Sequence, residues 1–149
     1  AIVDPAAAEG VVFRDGAVER LYEITSGYPF FIQEWCYSAW NAADAPPISI
    51  EVIDRIEDAV VARLDESFFR VRFDRTTPSE RRYLRAMAEL GSGPYQSADV
   101  AKILGQRPSQ ATPARDSLIK KGMIYSPEHG QLEFTVPLFD GFMRRAMSL

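Results

Sequence analysis

The chain has 149 residues, 46% of them hydrophobic, and a formal net charge of -4, a composition ordinary for a globular protein that buries a real core. No apolar run reaches the roughly 18 residues of a membrane span, and the N-terminus lacks the basic start and long apolar core of a signal peptide. One cysteine, Cys36, excludes an internal disulfide, so we expect a cytoplasmic protein with no membrane partner.

The charge is distributed unevenly along the chain. Residues 1–75 hold 7 Lys or Arg against 14 Asp or Glu, whereas residues 76–149 hold 10 against 7. The first part therefore carries a balance of -7 and the second a balance of +3. A split of this kind indicates two units with different neighbours.

The first unit is predicted to be helical, with Val11–Phe13 as the one strand suggested there. Asp15 is a candidate N-cap for a first helix that ends at Gly27. A second helix should begin near Pro29, because proline is tolerated in a first turn. Its core stripe recurs at steps of three and four residues: Phe31, Ile32, Trp35, Cys36, Ala39 and Trp40. Ser49 can cap a third helix, whose apolar face holds Val52, Ile53, Ile56, Val60, Leu64 and Phe68.

The second unit begins after a segment that mixes aromatic residues and arginines. This segment, Phe68–Arg75, has no clear period, and we expect a junction packed against both units. Thr77, Pro78 and Glu80 then form the pattern of a capping box with proline at the first helical position. They predict a helix that stops at the sequence G-S-G-P.

A helix-turn-helix and a hairpin are predicted next. A short helix from Ser97 to Gly105 precedes a longer one ending at Gly122, and with Ser109 as its N-cap Pro113 would fall early enough to be tolerated. M-I-Y-S-P and L-E-F-T-V-P predict two strands with Gly130 in the turn, and L-F-D-G-F-M-R-R-A-M predicts a last helix. The fold class is therefore mainly α: a small helical bundle, then a winged helix-turn-helix with a two-stranded β-hairpin wing.

The helix-turn-helix offers candidate contacts to DNA, since its second helix can lie in the major groove. The side chains that could donate to phosphates or base edges are Arg107, Gln110, Thr112, Arg115, Lys120 and Lys121. The wing, Tyr125 to Phe134, contains Glu128, His129 and Glu133 but no Lys or Arg. A stand-alone DNA-binding regulator and a protein-docking module therefore both remain open, and the acidic wing favours protein contact.

No catalytic or metal site is predicted. A phosphate-binding loop is missing because none of the three lysines follows a glycine, and V-V-A-R-L-D-E is too helical in period for a magnesium-binding strand. His129 with Cys36 cannot make a zinc site or a supported nucleophile and base pair. Asp65 and Glu66 are interpreted as a solvated helix end. We therefore expect this chain to be no enzyme and to hold no cofactor.

The sequence T-S-G-Y-P-F-F-I-Q, Thr25–Gln33, places a tight turn between two amphipathic helices. Turn chemistry alone explains such a turn. The alternative is contact with a ligand, because glycine lets a backbone approach closely and proline holds the turn rigid.

This turn, with the helices around it and the winged helix behind it, resembles the C-terminal half of archaeal-type AAA+ ATPases. That group is related to the origin-recognition ATPases and to the signal-transduction (STAND) ATPases. R-V-R-F-D-R-T-T-P-S-E-R-R-Y-L-R-A-M-A-E-L-G and L-I-K-K-G-M-I-Y-S-P look like the matching stretches of bacterial ATP-binding members. The resemblance implies a helical lid at residues 1–66, a winged-helix domain at residues 67–149, and a P-loop domain preceding Ala1.

The resemblance also implies a function and a site. Gly27, Tyr28 and Pro29 would lie against the base and ribose of a nucleotide, with ATP and Mg²⁺ belonging to a full-length ATPase that works as a switch. Many AAA+ lids carry a phosphate-sensing arginine in the following helix, but here Phe30, Phe31 and Ile32 stand at its start. We therefore do not expect this lid to sense the terminal phosphate directly. We also expect this chain neither to hydrolyse ATP nor to bind it with useful affinity, because the lid offers a few edge contacts and no phosphate cradle.

Overall fold

A computed structural model describes residues 12–44 and 46–149. The chain divides into two compact units, Ala1–Leu64 and Asp65–Leu149, which we call the N-terminal and C-terminal units. The boundary proposed from the sequence, after residue 66, lies two residues further along. The fold is mainly helical, as predicted, and within the described residues no helix has the length and apolar character needed to cross a membrane.

The described part of the N-terminal unit is a bundle of three mutually packed helices: α1 (Ala17–Thr25), α2 (Pro29–Ala42) and α3 (Ile50–Leu64). Proline occupies the first turn of α2, as the sequence predicts. The core of the bundle is formed by Ala17, Leu21, Ile24, Phe31, Trp35, Ala39, Ile53, Ile56, Val60 and Leu64.

Three expectations for this unit change in the structure. Gly16, with a φ of +82°, stands at the N-cap of α1 in place of Asp15, and no side chain caps the helix. The buried line of α2 is narrower than predicted, because Ile32 and Cys36 are half-buried and Trp40 is exposed. Phe13 makes an isolated parallel bridge with Ile48, whereas Val11 of the suggested strand lies outside the described residues.

The C-terminal unit begins with helix where the sequence showed no period. A π-helix (Asp65–Phe69) is followed by α4 (Arg70–Asp74) and α5 (Pro78–Glu89). The remaining elements are β1 (Tyr95–Gln96), α6 (Ser97–Ile103), α7 (Pro108–Lys120), β2 (Ile124–Tyr125), β3 (Gln131–Phe134) and α8 (Phe139–Ala146). This is the element order of a winged helix-turn-helix.

The predicted hairpin is confirmed, but the sheet contains a third strand. Strand β3 lies between β1 and β2, and both pairings are antiparallel. Tyr95 stands opposite Leu132, and Ile124 stands opposite Phe134. The sequence did not reveal β1 because two residues are too few to show a strand period.

Aromatic side chains hold the π-helix to α8. The ring centroid of Phe69 lies 5.5 Å from that of Phe142 and 5.7 Å from that of Phe139. Beside them, Arg145 donates from Nε and from a terminal nitrogen to the two carboxylate oxygens of Asp65, each at 2.7 Å. The interpretation of Asp65 as a solvated helix end is therefore wrong, since its carboxylate closes a bidentate ion pair.

The capping box of α5 is confirmed. Thr77 N–H donates to Glu80 Oε2 at 2.7 Å, and Glu80 N–H donates to Thr77 Oγ1 at 3.3 Å. Helix α7 differs from the prediction at its start, because Arg107 is the N-cap, Pro108 is the first helical residue and Ser109 lies inside. Pro113 therefore falls at the sixth position, where α7 continues without the hydrogen bond that an N–H would donate to the Ser109 carbonyl.

Candidate functional site

The Gly27–Pro29 turn is shaped by backbone geometry and local packing. Ser26 and Gly27 take left-handed φ values of +51° and +70°, which end α1. Tyr28 N–H donates to the Thr25 carbonyl at 3.0 Å, and Ile32 N–H donates to the Tyr28 carbonyl at 3.0 Å. The chain thus leaves one helix and enters the next within three residues.

Glycine at position 27 is required by the turn itself. A Cβ there would lie 2.6 Å from Cε2 of Tyr22, in addition to the strain of the positive φ. Tyr28 is half-buried with its ring centroid 4.7 Å from that of Phe31, and Pro29 is exposed. The left-handed backbone, with packing against Tyr22, accounts for Gly27 without a ligand, and the accessible surface of the turn consists of Pro29 and parts of Gly27 and Tyr28.

Lys121, one of the DNA-binding candidates, is held by a buried carboxylate. Its Nζ donates to Glu80 Oε2 at 2.7 Å and to the Arg75 carbonyl at 3.0 Å. Ser117 Oγ donates to Glu80 Oε1 at 2.6 Å, and Glu80 is 3% exposed. Burial alone would raise the pKa of Glu80, but hydrogen bonds from Lys121, Ser117 and the Thr77 N–H, with the charge of Lys121, lower it to about 2.

The other candidates on α7 divide into internally bonded and free side chains. Arg115 pairs with Asp116 at 2.8 Å. Gln110 Oε1 accepts from the Arg107 N–H at 2.9 Å, and Thr112 Oγ1 donates to the Pro108 carbonyl at 2.9 Å. The exposed side chains of Arg107 and Lys120 make no hydrogen bond or ion pair with the described part of the chain.

The helix-turn-helix and wing together carry little net charge. Residues 97–134 contain five Lys or Arg against four Asp or Glu, and one of the five is Lys121, bound to Glu80. Opposite the buried residues of α7, the surface holds Ser109, Pro113, Asp116 and Lys120. In the wing, Glu128 and His129 are exposed, and Glu133 packs so closely against Gly93 that a Cβ there would lie 2.6 Å from its Oε2.

The basic side of the C-terminal unit lies elsewhere, on residues 70–85, which we call the arginine segment. It contains six arginines and two acids. Five of the arginines are at least partly exposed, whereas Arg85 is buried and paired with Glu89 at 2.8 Å. Arg70 and Arg81 face the ring of Phe73 at 5.7 and 4.1 Å, and Arg72 lies over the ring of Phe68 at 3.6 Å. Sequence reasoning missed this surface, although the density of arginines among aromatics was a visible signal.

A cavity of about 360 Å³ opens at the arginine segment. It is lined by Phe73, Pro78, Arg81, Arg82 and Met147. Met147 follows α8, more than sixty residues beyond the others, so no local sequence pattern indicates that these side chains meet. Arg85 helps to hold Met147 at the cavity, since its Nε donates to the Met147 carbonyl at 2.8 Å.

Across 12–44 and 46–149, no three His, Cys, Asp or Glu side chains converge as metal ligands would. Cys36 is half-buried, and burial raises the pKa of its thiol. A raised pKa disfavours the reactive thiolate at neutral pH.

The comparison with protein families gives one match. The family described as Domain of unknown function (DUF8462) matches residues 66–143, more than half of the chain. The matched residues lie within the C-terminal unit. No curated protein matches the chain.

Proposed function

The chain belongs to the family of the Domain of unknown function DUF8462, and we propose that its C-terminal unit is a winged helix that docks a protein partner. The proposal rests on the observation that cationic side chains at α7 are already paired with acidic side chains of the same chain. Lys121 is bound to buried Glu80, and Arg115 is paired with Asp116.

The electrostatics of duplex binding explain why that observation matters. Affinity for DNA comes largely from Lys and Arg that neutralise phosphates and release counterions. With the Arg115–Asp116 pair set aside, Arg107 and Lys120 are opposed in α7 and the wing by Glu128 and Glu133. A surface so balanced supports protein contact better than phosphate contact.

Duplex binding by the whole chain tests this proposal. We expect fluorescence anisotropy with a labelled duplex to show no binding that weakens steeply between about 50 and 200 mM salt. Arg115→Ala and Lys120→Ala should leave the signal unchanged. Salt-sensitive binding that either substitution removes would favour the alternative, a DNA-binding regulator, and would contradict the docking role of α7.

The docking role itself is tested at the wing. We expect crosslinking in cell extract to recover a specific partner with the wild-type chain and to lose it with Tyr125→Ala combined with Glu133→Lys. Lys102→Ala, an exposed change on α6, is the matched control and should retain the partner. A partner recovered equally with all three chains would exclude the wing as the docking surface.

A second role, nucleotide contact by the N-terminal unit, rests on the resemblance and on the accessible surface of the turn. In a full-length ATPase, the base of ATP would rest on Tyr28 and Pro29, with Gly27 allowing close approach of the backbone. A preceding P-loop domain would hold the phosphates and Mg²⁺. Nucleotide binding would then move this lid and, through it, reposition the winged helix.

The lid hypothesis predicts different ATP binding for this chain and for a longer one. Calorimetry should detect no micromolar binding of ATP to residues 1–149, because the turn offers edge contacts without a phosphate site. A chain that includes the upstream domain should bind ATP, and Tyr28→Ala should weaken that binding. Micromolar binding to residues 1–149, or no effect of Tyr28→Ala, would contradict this role.

A further inference from the structure

We propose that the cavity at the arginine segment is a docking site for an acidic peptide segment, one that presents an apolar side chain flanked by carboxylates. The cavity is formed by α4, the first turns of α5 and Met147. None of its lining residues belongs to α7 or to the wing, so the site stands independently of the winged-helix docking surface.

The cavity is an open depression with the volume and chemistry of an anchor site. Its volume of about 360 Å³ lies within the range of about 300 to 1,000 Å³ that is usual for ligand sites. Phe73, Pro78 and Met147 supply an apolar lining. Burial of one large apolar side chain in such a pocket is the usual centre of a binding hot spot.

Two guanidinium groups stand at this apolar lining. Arg82 is exposed and makes no hydrogen bond or ion pair with the described residues. Arg81 lies over Phe73, and its Nε donates to Thr76 Oγ1 at 3.3 Å. The nearest carboxylate to Arg81 is that of Asp74, 3.9 Å away and largely exposed, so both arginines can still bind an incoming carboxylate.

The arginine segment carries more positive than negative charge. Of the two acids among residues 70–85, Glu80 is already bound to Lys121. Arg75 is exposed as well and adds positive charge to the arginine segment. This excess attracts acidic partners and steers their approach.

The apolar lining decides between an acidic peptide and a nucleic acid. A phosphate backbone binds cationic surface and has no group that fills an apolar pocket, whereas a peptide supplies carboxylates and an apolar anchor in one short segment. The combination of cavity and arginines therefore favours the peptide.

A synthetic peptide tests the site in the whole chain. The probe has one phenylalanine with three glutamates on each side, and two control peptides replace the phenylalanine by serine or the glutamates by lysine. We expect saturable binding of the probe by calorimetry and a shift of the Met147 methyl resonance on titration. The serine peptide should bind at least about tenfold more weakly, and the lysine peptide should not bind.

Charge-reversal variants locate the binding. Arg82→Glu should weaken the probe about tenfold or more, because it replaces an unpaired cation at the cavity with an anion. Arg107→Glu makes the same change on an exposed side chain outside the cavity and should alter binding less than about twofold. Circular dichroism checks that both variants keep the helical content of the wild type.

Several results would overturn the proposal. They are no binding of the probe, equal binding of the serine peptide, equal weakening by both variants, or an unshifted Met147 resonance. Binding of a DNA duplex that Arg82→Glu removes, with no peptide binding, would assign the surface to nucleic acid instead. Failure of the wing experiment leaves this site untouched, so the two proposals fail separately.

Discussion

Glu80 is the residue on which the start of α5 and the end of α7 converge. Its carboxylate accepts from the Thr77 N–H, the Ser117 hydroxyl and the Lys121 ammonium group. A buried carboxylate is stable when hydrogen bonds and an opposite charge replace its lost hydration. Glu80 therefore stabilises the fold, and Lys121 does so too, because its ammonium charge is already paired even though the residue is exposed.

Substitution of Glu80 should reveal this role through the pH dependence of stability. Glu80→Gln keeps the shape but loses the ion pair, and we expect the free energy of unfolding at pH 7 to fall by about 2 kcal/mol. Because the pKa is lowered to about 2 in the folded chain, the wild type's advantage should be complete above about pH 4.5 and should shrink as the pH falls towards 2.

Urea denaturation of both chains between pH 7 and pH 2 measures this difference. Lys121→Met in the Glu80→Gln background is the control, and it should cost little more than Glu80→Gln alone because the pair is already broken. A difference between wild type and Glu80→Gln that stays constant over this range would contradict the assignment of the lowered pKa.

Gly27 is the residue at which the backbone and packing contributions to the turn can be separated. Gly27→Ala should lower the free energy of unfolding by about 1 to 2 kcal/mol, through the left-handed φ and the displaced Tyr22 ring. In the Tyr22→Ala background the cost should fall to the backbone contribution of about 1 kcal/mol. Thermal unfolding of the four chains measures both values, and an unchanged midpoint for Gly27→Ala would contradict the packing explanation.

At the scale of elements, α7 combines a strong start with an internal defect. Gln110 caps the N-terminal end by accepting from the Arg107 N–H, but Pro113 removes one hydrogen bond inside the helix. The helix forms nevertheless, because Ala111 and Leu118 are buried against the rest of the unit. Tertiary packing therefore outweighs the poor local propensity at this position.

Replacement of Pro113 should make α7 more stable. Pro113→Ala restores an N–H that can donate to the Ser109 carbonyl, and we expect the free energy of unfolding to rise by about 1 to 3 kcal/mol. Pro108→Ala is the matched control, since proline at the first helical position costs nothing there, and it should change stability by less than about 0.5 kcal/mol. Equal effects of both substitutions on the melting temperature would contradict the placement of Pro113 inside the helix.

At the scale of the whole molecule, each unit has a core of its own and a charge of its own. The aromatic cluster of Phe69, Phe139 and Phe142 belongs to the C-terminal unit, and the family match lies within the same residues. Residues 1–64 carry 4 Lys or Arg against 11 Asp or Glu, and residues 65–149 carry 13 against 10. The two units therefore differ in net charge.

The independence of the C-terminal unit can be tested by expressing residues 65–149 alone. We expect dispersed NMR amide resonances and one cooperative thermal transition, because the aromatic core and the Asp65–Arg145 ion pair are both retained. Residues 76–149, which lack the π-helix and α4, are the control and should be less stable or unfolded. A collapsed spectrum for residues 65–149 would contradict the division into two units.

Much of the fold could be predicted from the sequence, because caps and turns are formed by residues that lie close together along the chain. Thr77, Pro78 and Glu80 predicted the start of α5 correctly, because a capping box is made by residues three positions apart. Pro29 and Gly105 marked helix ends for a similar reason, since their backbone restrictions act locally. The hairpin around Gly130 was predicted from turn chemistry and strand patterns alone.

Only the tertiary structure decided which residues far apart in the sequence contact one another. Asp65 meets Arg145, Lys121 meets Glu80, and Met147 completes a cavity with Phe73 and Arg82. No local periodicity in the sequence predicts these contacts, because they depend on how the helices pack. The sequence by itself determined a mainly helical chain with a wing, whereas packing decided which charges are consumed inside the fold and which remain available to a partner.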